Sequence, residues 1–161
     1  MIKRSLVALL VATGTLLSTT GAAATPELTE GEQGQSCVVY APRNYECFSS
    51  NAEANDAADK HSGHKTPQTY QNGAFDCAWG WLCLYGSPGG NGRRLIFSDE
   101  RWHKLDDYGF GGKVKSWRNN QLCPDDGLLG DGAGGTLLLE GCGRAAAMDP
   151  YWSNAAIHVH G

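Results

Sequence analysis

Cys77-Ala-Trp-Gly-Trp-Leu-Cys83-Leu-Tyr85 is followed by Arg94-Leu-Ile-Phe97, Leu105-Asp-Asp-Tyr-Gly-Phe110 and Lys115-Ser-Trp-Arg-Asn119. These runs are short, apolar and separated by turn residues. Gly86-Ser-Pro-Gly-Gly-Asn-Gly92 stands between two of them and must turn sharply, because glycine enters positive φ without a Cβ penalty. Val114 to Trp117 alternates as a half-buried strand does. Thr136-Leu-Leu-Leu139 and Ile157-His-Val-His160 add two further short runs. Many short strands joined by glycine-rich turns predict an all-β sandwich or barrel.

The pattern hints at an internal repeat. One unit runs from Leu82 to Trp117 and a second from Leu128 to Val159, with Met148-Asp-Pro-Tyr-Trp152 standing where Leu105-Asp-Asp-Tyr108 stands in the first. Cys77 to Gln121 resembles the secreted actinobacterial peptidase-inhibitor family of the Streptomyces metalloproteinase-inhibitor type. Members of that family look like Cys-Pro-x-Gly-x-x-Cys-Leu-Tyr, a glycine turn, Arg-x-Leu-x-Phe, Leu-x-Asp-Tyr-Gly-Phe and Ser-Ser-Trp-x-Asn. The resemblance implies a βγ-crystallin-like Greek-key sandwich of two motifs over residues 73–161. It is preceded by a small disulfide-clipped N-terminal appendage.

The chain opens with Lys3 and Arg4, an apolar run from Leu6 to Leu17, and small residues at Ala22-Ala23-Ala24. This is a secretory signal-peptide pattern, expected over residues 1–24, and the run is too short to span a bilayer. Export to the extracellular space is the expected localisation. Cleavage would remove two positive charges and take the formal charge from −4 to −6. A mildly acidic exported protein lacks the basic stripe that nucleic acid or an anionic membrane requires. All six cysteines, Cys37, Cys47, Cys77, Cys83, Cys123 and Cys142, follow the leader. An even count in an exported chain reads as three disulfides, of 15 possible connectivities. Pairing sequence neighbours closes the cheapest loops: Cys37 with Cys47, Cys77 with Cys83, and Cys123 with Cys142.

Residues 25–72 are polar at first. They then offer two β-prone runs around Cys37 and Cys47. Ser50-Asn-Ala-Glu53 is a capping-box pattern that predicts a short helix to about Lys60, ended by Gly63. His61 to Pro67 reads as linker.

No residue is expected to be catalytic, and no metal or cofactor is expected. The βγ-crystallin calcium pattern needs acids and hydroxyls. The first matching copy, Gly111-Gly-Lys-Val-Lys-Ser116, has glycine at both acidic positions and lysine at the first hydroxyl, and the second, Tyr151-Trp-Ser-Asn-Ala-Ala156, keeps neither the acids nor the hydroxyls. Asp106-Asp107 and Asp125-Asp126 read as turns, because adjacent side chains of an extended chain diverge. His158 and His160 share a strand face but show no third metal ligand. Trp81 and Trp117 read as core, and Trp79 as the most exposed tryptophan.

A protease inhibitor works by presenting a substrate-like segment ordered in advance. In the inhibitors this chain resembles, the binding loop follows a strand like Thr136 to Leu139. The matching residues are Glu140, Gly141, Cys142, Gly143, Arg144 and Ala145, with Ala146 to Met148 behind them. A helix-prone or disordered connector is the alternative, since Ala145 to Met148 are good helix formers. The expected activity is inhibition of a secreted peptidase by a monomer, with metalloproteases as the target class the resemblance implies. The rival readings are a cell-wall-glycan binding module and a killer-toxin-like antimicrobial protein.

Overall fold

The computed structural model describes residues 34–66, 74–97 and 99–161; the leader at 1–24 and the boundary at 72–73 lie outside them. Three apolar strands set the architecture. They are β1 (Ser36–Ala41), β3 (Leu82–Ser87) and β4 (Asn91–Phe97). Cys37, Val39, Leu82, Leu84, Leu95 and Phe97 belong to one core. The intervening Val38, Cys83, Tyr85 and Ile96 belong to another. Both faces of these strands are therefore buried, which is why the sequence shows continuous apolar runs.

The strands form two sheets. The larger has the order β2-β1-β4-β3-β6-β9, with β2 (Asn44–Phe48), β6 (Ser116–Asn119) and β9 (Arg144–Ala145). Its β1–β4 pairing is parallel and the rest are antiparallel. The smaller has the order β5-β10-β7-β8, from β5 (Trp102–Lys104), β10 (His158–His160), β7 (Gly127–Gly130) and β8 (Thr136–Leu139). Leu129, Leu139 and Val159 of the smaller sheet pack on the inner face of the larger. The two halves divide alike. Leu82–Asn119 gives β3, β4 and β6 to the larger sheet and β5 to the smaller, whereas residues 127–160 give three strands to the smaller and β9 to the larger. The N-terminal hairpin, expected as an appendage, continues the larger sheet through β1 and β4.

Helix α1 (Asn51–Ser62) covers the outer face, with Ala54 and Ala58 against Trp81 and Ile96. The Ser50 hydroxyl accepts the Glu53 amide at 3.2 Å, and Gly63 ends the helix at φ 71°. The helix runs past Lys60, so His61 is not linker. Its ring lies 4.7 Å from Tyr40 and 6.0 Å from Trp81. Three disulfides join sequence neighbours: Cys37–Cys47 across β1 and β2, Cys77–Cys83 under α1, and Cys123–Cys142.

Beneath α1 the fully buried Arg94 joins four segments. Its Nε donates to Ser36 Oγ at 2.5 Å, Nη2 to the Asn51 carbonyl at 2.9 Å, and Nη1 to the Asp76 carbonyl. The Asp76 carboxylate lies 3.8 Å away and accepts from Asn55 Nδ2 at 2.7 Å. A buried guanidinium is tolerated only when its donors are met. Arg94→Met leaves Asp76 and three acceptors without that partner. It is expected to destabilise the protein by about 3–5 kcal/mol in denaturant unfolding.

Candidate functional site

The six expected loop residues lie on one segment, a tight turn that leads from β8 into β9. Its position depends on Asn119, which is fully buried at the end of β6. Asn119 Nδ2 donates to the carbonyls of Asp125 at 2.9 Å and Leu139 at 3.0 Å. Its Oδ1 accepts the Gln121 amide at 3.0 Å, and its own amide donates to the Gly143 carbonyl at 2.9 Å. One side chain thus spans the segments that carry Cys123 and Cys142 and links β6 of one sheet to β8 of the other.

The turn is tight because Gly141 and Gly143 flank Cys142. A Cβ on Gly141 would sit 2.4–2.8 Å from the carbonyl oxygens of Leu122, Cys123 and Asp125. A Cβ on Gly143 would sit 2.6 Å from the Glu140 carbonyl. Cys142 takes φ 61°, an uncommon conformation for a residue with a side chain, and the bridge to Cys123 holds it there. The Gly141 amide donates to Asp126 Oδ1 at 2.7 Å and the Gly143 amide to the Glu140 carbonyl at 2.9 Å. Asp126 is therefore a loop anchor.

Beyond the turn, Arg144 and Ala145 pair with Arg118 and Trp117. Hydrogen-bonded positions alternate along an antiparallel ladder, and Gly143 already bonds Asn119. The N–H and C=O of Arg144 therefore face away from β6. The side chain of Arg144 is exposed, and its guanidinium lies over the Phe75 ring at 5.3 Å. No helix follows. The Ala146 carbonyl accepts from the Gly89 amide at 2.7 Å and the Met148 amide donates to the Lys115 carbonyl at 2.9 Å. These tertiary bonds override the helix propensity of Ala145 to Met148.

Two surface features escaped the sequence. Leu122, beside the Cys123 bridge, is 64 % exposed. Trp102, not Trp79, is the open tryptophan, at 47 % exposure, because it stands on edge strand β5; Trp79 is half-buried. Trp102 packs on His160 at 5.4 Å and borders a shallow groove of about 350 Å³ with His158, Thr136 and the glycines Gly130, Gly132, Gly134 and Gly135. In the turn at the groove's end, Asp131 accepts from the Tyr151 hydroxyl at 2.6 Å and from the amides of Ala133 and Gly135 at 2.8 Å. These bonds, the tyrosine's foremost, hold its carboxyl below the usual range.

Several other titratable residues have structural partners. Buried His103 lies between the Tyr108 hydroxyl, at 2.8 Å, and Asp99, so both ring nitrogens are engaged. Asp107 pairs with Arg43, and Asp106 with Lys104. Lys115, from the first calcium-like copy, donates to the Ser153 hydroxyl at 2.6 Å and carbonyl at 3.0 Å in the second. Among the described residues, no group of three or more His, Cys, Asp or Glu is placed to hold a metal ion.

Asn119→Ala would leave the buried Leu139 carbonyl and the partly buried Asp125 carbonyl without that donor. We expect a loss of about 2–4 kcal/mol in thermal or denaturant unfolding. Faster proteolytic nicking between residues 121 and 143 should accompany it.

No curated protein and no solved structure matches the chain. Residues 70–124, about a third of the chain, match the sequence model of peptidase inhibitor family I36; the match includes Cys123 and stops short of its partner Cys142.

Proposed function

We propose that this protein is a secreted peptidase inhibitor that binds its target tightly through the rigid turn Glu140 to Ala145. The observation that carries the reading is the combination of the family match over residues 70–124 with a neighbouring segment already fixed in extended form. Every flexible segment that orders on binding costs affinity. Here the bridge, the glycine contacts and Asn119 meet that cost before the target arrives. The reading needs no cofactor and no catalytic residue. It takes residues 1–24 as a removed leader, residues 73–161 as the inhibitory domain, and the working form as an extracellular monomer. The resemblance to metalloproteinase inhibitors makes a secreted metalloprotease one target class.

Titration of secreted metallo- and serine proteases with the purified protein tests the proposal. Stoichiometric loss of one protease's activity at micromolar protein is expected. The double variant Cys123→Ser/Cys142→Ser should stay folded on its other two bridges and inhibit at least about tenfold more weakly, since it must order the loop on binding. Undiminished activity of every protease at micromolar protein contradicts the proposal.

A further inference from the structure

Arg144 is the residue of the loop whose surroundings look built for insertion into a pocket. Its backbone N–H and C=O face outward from the sheet edge, so an enzyme strand can pair with them. Its guanidinium is exposed and rests on the Phe75 ring, which limits the rotamers to be lost on binding. Phe75 is itself fixed, since Gly90 packs directly on its backbone. Among the described residues, no carboxylate lies within ion-pairing distance of Arg144. The neighbours Gly143, Ala145, Ala146 and Ala147 are small and leave the arginine as the one projecting side chain of this stretch.

We infer that Arg144 determines the target, and that the target is a serine protease whose primary specificity pocket carries a carboxylate. A planar guanidinium pairs bidentately with a carboxylate at the base of such a pocket, and the outward main chain supplies the strand that a serine protease cleft pairs with. A metalloprotease pocket that takes a bulky apolar side chain finds none from Gly143 to Ala147. Leu122 is bulky and exposed, but its carbonyl turns inward toward Gly141, so it does not offer a free strand. The inference rests on the reading that Glu140 to Ala145 is the inhibitory loop.

The test uses the full mature protein and three named enzymes: trypsin, chymotrypsin and thermolysin. Trypsin should be inhibited far better than the other two. Arg144→Ala should weaken trypsin inhibition by at least about 30-fold, the scale of an interface hot spot, and Arg144→Lys should retain most of it. Arg144→Leu should move inhibition from trypsin toward chymotrypsin, which keeps the test informative if truncation disturbs the Phe75 contact. Inhibition of thermolysin with none of trypsin overturns the inference and leaves the proposed function standing. Trypsin inhibition indifferent to all three substitutions also overturns it. Inhibition of none of the three enzymes overturns the target assignment; the wider panel of secreted proteases then decides the proposed function separately.

Discussion

The carboxamide of Asn119 is the constraint on which this architecture turns. It lies at the end of the strand that connects the larger sheet to its β9 edge. Its two donors reach carbonyls on either side of the Cys123–Cys142 bridge, one of them at the end of β8 in the smaller sheet. A buried amide in this position has no slack. Its bonds to the Leu139 carbonyl and the Gln121 amide fix backbone groups that would otherwise be stranded in the interior. The turn from Glu140 to Gly143 inherits its geometry from those bonds.

A second buried polar group serves the other side of the site. Arg94 and the Tyr85 hydroxyl both donate to the Asp76 carbonyl. Asp76 follows Phe75, whose backbone takes φ 66°. Arg94 therefore positions, at one remove, the ring on which Arg144 rests. The hairpin turn at Gly89 and Gly90 meets both Ala146 and Phe75. The loop is thus held by Asn119, which ties β6 of the larger sheet to β8 of the smaller, and by Phe75 on the outer face of the larger sheet. Rigidity here comes from several short contacts converging on a few residues, with the disulfide as one contributor.

Much of this was legible in the sequence. Leu82-Cys-Leu-Tyr85 and Arg94-Leu-Ile-Phe97 read as strands because burial on both faces leaves an unbroken apolar run. Ser50 and Glu53 announced the helix start through a local hydrogen bond, and local bonds depend on spacing alone. The parallel pairing of β1 with β4 was not legible, because a short apolar run does not name its distant partner. The exposure of Trp102 was hidden for a related reason: edge position is a property of the sheet. Ala145 to Met148 misled in the opposite way, since their helix propensity is real and is outweighed by bonds to Gly89 and Lys115. The loop itself was placed by family resemblance. Its anchors Asn119, Asp126 and Phe75 became visible only in three dimensions.

Amide hydrogen exchange on the free protein, resolved from Gly141 to Met148, tests the central claim most directly. A turn fixed in advance predicts slow exchange at Gly141, Gly143 and Met148, whose amides are bonded, and fast exchange at Arg144, whose amide points outward. Unprotected exchange across the whole stretch would show a loop that orders only on binding, and would contradict this account of how the site works.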